Sequence, residues 1–237
     1  MASFVLVHGG GHGGWCWKPV AERLRAQGHE VHAPTLSGLG DRRHLLTAQT
    51  GLRTHVEDIA ALLFHEDLRY VVLVGHSYGG MVITGAADRM PDRIKRLVYL
   101  DAAIPVDGER LVDSSPGLAA FDDSRLVEGV RLGLWPENAI GSLYGIGDPA
   151  LADWALARLS PHPWRSFEER LELQDPDCVA AIPRAIVNCT ETLRRRPAHL
   201  VSRWHEGDYV REIASGHDLM LLRPAEVTEI LLEIAAL

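Results

Sequence analysis

Cysteine, lysine and long apolar runs are what this chain has least of. Cys16, Cys178 and Cys189 are its three cysteines in 237 residues. Their spacing offers neither an even disulfide framework nor a C-x-x-C pair for zinc, a usage that fits a reducing cytosol. Met1-Ala2-Ser3 leads directly into Phe4-Val5-Leu6-Val7 without a basic stretch or a cleavage-site pattern, and that run is far shorter than the roughly 20 residues a membrane span needs. The expectation is a cytoplasmic protein with no membrane partner. Lys18 and Lys95 are the only lysines, and the formal net charge is −8, which argues against nucleic acid or an anionic surface as partner. The sequence carries no signal for oligomeric state.

What is present reads as one domain over residues 1–237. Hydrophobic residues make up 46% of the chain, enough for a sizeable core. Short apolar runs alternate with amphipathic stretches, the pattern of a mostly parallel sheet flanked by helices. The predicted strands are Phe4–Val7, His29–Ala33, Tyr70–Val74, Ile94–Leu100, Arg184–Asn188 and Asp208–Ile213. Val71-Val72-Leu73-Val74 and Leu97-Val98-Tyr99-Leu100 lack alternation, as strands buried on both faces do. Predicted helices cover Trp17–Gln27, closed by Gly28, and Thr54–Phe64, opened by a capping box of Thr54 with Glu57. Others run from about Tyr78 to Arg89 and from near Pro224 to the end. Between about residues 104 and 182 no strand is evident. That stretch, with the amphipathic piece Pro149–Leu159, reads as a helical cap inserted after a strand.

The chemistry gathers in three places. Gly75-His76-Ser77-Tyr78-Gly79 is a G-x-S-x-G motif between a strand and a helix, the context that turns a glycine-flanked serine into an exposed nucleophile. His8-Gly9-Gly10-Gly11-His12-Gly13-Gly14-Trp15 follows the first strand. Its backbone can approach a substrate oxygen, and the oxyanion donors are assigned to the N–H groups of Gly10 and Tyr78. A phosphate loop is disfavoured for want of the Lys-Ser/Thr ending. A metal site through His8 and His12 is disfavoured because their spacing in a glycine loop shares no helical face. Ser215-Gly216-His217-Asp218 lies between the last strand and last helix, where a hydrolase of this type keeps its general base, so His217 is the candidate. No metal or cofactor is required.

These segments resemble the plant methyl esterase and hydroxynitrile lyase family of α/β-hydrolases. Phe4 to Trp15, Gly75 to Gly80, Cys189-Thr190-Glu191, Gly216-His217 and Leu231-Leu232-Glu233-Ile234-Ala235 carry the resemblance across the core. It implies an α/β-hydrolase fold and either ester hydrolysis or C–C cleavage. Two departures matter. The lyases of the family carry threonine after the first-loop histidine and lysine after the catalytic histidine, whereas here those positions are Gly9 and Asp218; this favours hydrolysis. An aspartate directly follows Cys-Thr-Glu in the plant members, and here that position is Thr192, so the triad acid must come from elsewhere. The candidates are Asp101, Glu191, Asp208 and Asp218. Asp101 is preferred because it ends a strand at the carboxyl edge, where sites gather in open α/β sheets.

The expected reaction is hydrolysis of a small to medium hydrophobic ester or lactone through an acyl-enzyme on Ser77. Trp135, Tyr144, Trp154 and Trp164 of the cap are expected to supply the substrate surface. A lyase or cyclase using the same Ser77–His217 pair for proton transfer is the alternative, and a non-catalytic receptor of the same fold is a third reading.

Overall fold

The computed structural model describes residues 1–115, 118, 124–133 and 139–237. Its strands are β1 Ser3–Val7, β2 Glu30–His32, β3 Val71–His76, β4 Ile94–Leu100, β5 Arg125–Val127, β6 Val130–Gly133, β7 His162–Pro163, β8 Arg184–Cys189 and β9 Tyr209–Ile213. Six of them form the main sheet in the order β2-β1-β3-β4-β8-β9. Every neighbouring pair in it is parallel. The longer helices are α1 Lys18–Ala26, α2 Leu52–His65, α3 Gly79–Arg89, α4 Pro149–Leu156 and α5 Pro224–Ala236.

The unbroken apolar strands follow from having two cores to fill. Side chains alternate across a strand. Val71, Leu73, Leu97 and Tyr99 therefore pack with Ile59 and Leu63 of α2 and with Met81 and Val82 of α3. Val72, Val74, Val98 and Leu100 point the other way, onto Val20 and Leu24 of α1 and Ile230 and Leu231 of α5. Helix α1 ends in a Schellman motif: the N–H of Gly28 donates to the Arg25 carbonyl at 2.9 Å and that of His29 to Leu24 at 3.2 Å. Gly28 sits at φ +82°, a conformation open to glycine.

Two expectations need correction. Helix α2 starts at Leu52, two residues before the predicted Thr54. Thr54 lies inside the first turn, where its hydroxyl accepts the Gly51 N–H at 3.3 Å. The stretch between residues 104 and 182 is also not purely helical, because β5, β6 and β7 form a small antiparallel sheet there. Its β5–β6 hairpin turns on Glu128 and Gly129, both at positive φ (50° and 81°), the backbone a tight two-residue hairpin requires. The strands are too short to show a period in sequence. Pro163 is tolerated in β7 because that strand is at the sheet edge, where a missing N–H costs no ladder bond.

Candidate active site

The carboxyl ends of β3, β4 and β8 converge with the loop after β9. Ser77 follows β3 at φ +54°, a strained conformation for a residue with a side chain. The flanking glycines are dictated by close approach. A Cβ on Gly75 would lie 2.6 Å from the Gly79 carbonyl oxygen, and one on Gly79 would lie 2.8 Å from that of Val7. Strand β3 therefore turns into α3 with no room for side chains at those two positions, and Ser77 stands at the apex.

His217 sits in the loop between β9 and α5. Its Nε2 is 2.9 Å from Ser77 Oγ, and its Nδ1 is 2.6 Å from Asp101 Oδ2. With Nδ1–H donating to the carboxylate, Nε2 is free to accept the serine hydroxyl. Asp101 follows β4 at φ +45°, held by donation of its N–H to the Val187 carbonyl at 2.7 Å. Its carboxylate also accepts from the Thr192 hydroxyl, the Cys189 N–H and Arg196 Nη2. Burial alone would raise the Asp101 pKa. The hydrogen bond from His217 and the charges of His217 and Arg196 outweigh burial and hold the carboxyl well below the usual range.

The other acid candidates lie elsewhere. Glu191 is exposed on the helical turn Thr190–Leu193. Asp208 is at the opposite edge of the sheet, where its carboxylate takes the Arg184 N–H at 2.8 Å. Asp218 is buried and turned away from its neighbour His217, with Oδ2 2.9 Å from His12 Nε2.

Gly10 and Tyr78 both line a cavity of about 240 Å³ that opens on Ser77 and His217. Among the described residues, neither main-chain N–H has a protein acceptor, which leaves both free to donate. The Gly9 backbone packs against Ser77, since a Cβ there would fall 2.7 Å from Ser77 Cβ.

Several histidines brace this arrangement. His76 Nε2–H donates to the His217 carbonyl at 2.9 Å, and burial pushes its pKa down to about 3. His8, driven by burial to about 3 as well, accepts the Leu36 N–H at 3.0 Å. His12 also reaches the Gly10 carbonyl through Nδ1 at 2.8 Å. Burial would depress His12, but the adjacent Asp218 carboxylate outweighs it and raises its pKa.

Of the residues expected to meet substrate, Tyr144 lines the cavity, its ring nearly parallel to His217 with centroids 6.5 Å apart. Trp135 lies outside the described residues. Trp154 and Trp164 are not among the described residues lining the cavity. Trp154 packs edge-on against Trp15 and under the Arg158 guanidinium. Trp164 is buried against Phe167 and Arg131. Their apolar area is used in protein packing, Trp154 against the glycine loop and Trp164 within the cap, a role sequence alone does not separate from ligand contact. Sequence reasoning missed Leu111, Phe167, Arg195 and Arg196, which do line the cavity; no motif surrounds them. Among the described residues, no group of three His, Cys, Asp or Glu is arranged to hold a metal, and no helix is long and apolar enough to cross a membrane.

Comparison with known proteins identifies the family and the fold. Residues 4–230 match the model of the alpha/beta hydrolase family. The chain is 35% identical over 242 residues to a carbendazim hydrolyzing esterase of Nocardioides sp. (strain SG-4G), covering 97% of this chain and 98% of that one. It is 29% identical over 262 residues to methylesterase 10 of Arabidopsis thaliana, covering 98% and 91%. Among solved structures, an extracellular alpha/beta-hydrolase from a Paenibacillus species superposes with a TM-score of 0.83 at 24% identity, over 98% of both chains.

Proposed function

The chain belongs to the alpha/beta hydrolase family and is a carboxylesterase-type enzyme; on that premise we propose that it cleaves a small to medium hydrophobic ester or lactone through an acyl-enzyme on Ser77. The observation carrying this reading is the hydrogen-bonded line from Asp101 through His217 to Ser77, with contacts of 2.6 and 2.9 Å. His217 Nε2 takes the hydroxyl proton as Ser77 Oγ attacks the carbonyl carbon, and Asp101 stabilises the imidazolium that forms. The Gly10 and Tyr78 N–H groups receive the developing oxyanion. His217 then returns the proton to the departing alcohol, and water, activated by the same base, releases the acid.

The cavity supports the substrate class. It is small, and Leu111, Tyr144 and Phe167 give it apolar walls close to Ser77, which suits a compact apolar acyl or alcohol group. The close packing of Gly9 on Ser77 leaves no space for the threonine that the lyases carry, and this favours hydrolysis over C–C cleavage. Three unpaired thiols support a reducing, cytoplasmic setting. A fluorophosphonate probe tests the reading: it should label the wild type and fail on Ser77→Ala, which should lose turnover of a chromogenic ester with an unchanged far-UV CD spectrum. Turnover retained by Ser77→Ala would refute the nucleophile.

A further inference from the structure

A carboxylate that orients an imidazole must itself be oriented. The terminal torsion of an aspartate is broad, and one partner on one oxygen does not hold it. Around Asp101 the donors are unevenly shared. Oδ1 takes the Cys189 N–H at 3.3 Å, Arg196 Nη2 at 3.3 Å and the Thr192 hydroxyl at 2.6 Å. Oδ2 faces His217, and the Thr192 hydroxyl oxygen is 2.7 Å from it as well.

We propose that Thr192 is a positioning residue of the catalytic apparatus: its hydroxyl, set across both carboxylate oxygens of Asp101, fixes the carboxylate plane that meets His217 Nδ1. The inference rests on the triad reading above. Thr192 has a single hydroxyl proton and two kinds of acceptor nearby. The Cys189 carbonyl lies at 3.2 Å, and the charged carboxylate is both closer and the stronger acceptor, so the proton is committed there. A β-branched side chain has little χ1 freedom, so the hydroxyl is aimed before the reaction begins. Arg196 completes the cradle. Its Nη2 also reaches the Asp101 carbonyl at 3.1 Å, and its guanidinium lies 4.5 Å over the Trp204 ring. Trp204 is anchored in turn by donating its indole N–H to the Ala102 carbonyl at 2.8 Å. Arg196 Nε is buried and has no acceptor among the described residues, so the carboxylate and the indole place this side chain.

The cradle does more than hold an angle. Donors on Oδ1 spread the negative charge and lower the carboxylate's affinity for a proton, so the Nδ1 proton stays on His217 as the imidazolium forms.

The test compares Thr192→Val, a near-isosteric change that deletes the donor, with Thr192→Ser, which returns it, and with Asp101→Asn. Steady-state turnover of a chromogenic ester is measured alongside the low-field proton resonance of His217 Nδ1–H. Losing one hydrogen bond to a charged group should lower kcat roughly tenfold in Thr192→Val with KM changed less than about twofold. Thr192→Ser should recover most of that loss, and the low-field resonance should shift or broaden in the valine variant but not in the serine variant. If Thr192→Val folds poorly, Thr192→Ala is read the same way. Full kcat in Thr192→Val beside a crippled Asp101→Asn overturns the proposal and leaves the triad standing. Equal losses in the serine and valine variants overturn it too. Full activity in Asp101→Asn removes the triad reading and this inference with it.

Discussion

His12 and Asp218 form a buried pair that ties the glycine loop after β1 to the loop carrying His217, and breaking it should cost both stability and turnover. Both side chains are about 1% exposed, and their contact is 2.9 Å. His12 donates from both ring nitrogens, to Asp218 through Nε2 and to the Gly10 carbonyl through Nδ1, so the pair holds an imidazolium. In Asp218→Asn the counter-charge is gone, burial favours the neutral ring, and a neutral ring has one N–H. Nδ1–H can keep the Gly10 bond, but Nε2 turns from donor to acceptor and only the NH2 group of the substituted amide could meet it, so the ion pair gives way to at most a neutral hydrogen bond. Removing one partner of a buried ion pair costs about 3–5 kcal/mol, lowered here to about 3 kcal/mol because histidine can discharge. For a domain of this length that is a fall in Tm of about 6–12 °C. The sign of the pH dependence follows from the two shifts. Burial alone would raise Asp218, but His12 lowers it; its contribution is present above an unfolded value of about 3.9 and is lost as pH falls through the folded one. His12 is raised, so its contribution is complete below about 6.5 and is lost as pH rises through its folded value. The stability gap between wild type and Asp218→Asn should therefore be widest between about pH 4 and 6.5 and narrow on either side. Chemical denaturation at pH 5, 7 and 9 measures it. A gap that stays constant across that range would refute an ionised pair.

Asp101→Asn should lower turnover by up to about 10⁴-fold, as wrong-tautomer variants of such triads do, while Glu191→Gln should leave it nearly unchanged; comparable losses in the two would remove Asp101 from its role. Gly9→Ala should displace Ser77 and cost roughly 10² in kcat, because the new Cβ would fall 2.7 Å from Ser77 Cβ; normal turnover would mean the loop relaxes freely. Mandelonitrile should release no cyanide above background under conditions in which ester hydrolysis is measurable, and cyanide release dependent on Ser77 would overturn the hydrolytic reading.

Much of the core was legible because its signals are local. The run Val71 to Val74 has to be a strand buried on both sides. Gly75 and Gly79 bracket Ser77 between a strand and a helix, the context that marks a tight strand-to-helix turn. Chain order placed His217 in the last loop. The proposed acid was legible as a preference for Asp101 within a set of four carboxylates, since the direction of a side chain is a tertiary fact. Asp218 is adjacent to His217 in sequence, yet it pairs with His12, 206 residues away. Arg196 gave no signal in a run of three arginines, because its place is set by the Trp204 ring and the Asp101 carboxylate. The β5–β6 hairpin escaped because three- and four-residue strands show no period. Trp154 and Trp164 look the same in sequence whether they face a ligand or one another's neighbours.

On the proposed reading the acid comes from a strand other than the expected one, and the sheet register allows it. Strands β4 and β8 are paired in parallel, with Leu100 opposite Val187. The residues just past their ends therefore emerge side by side: Asp101 directly after β4, and the turn carrying Thr192 directly after β8. Thr192 Oγ1 and the Asp101 carboxylate are in hydrogen-bond contact, so both side chains reach the same small region beside His217 Nδ1. Two carboxylates there would repel one another and raise the pKa of at least one. A single carboxylate with a hydroxyl beside it avoids that cost and gains a donor. On the proposed reading the threonine is thus the neutral partner of an acid that arrives from β4.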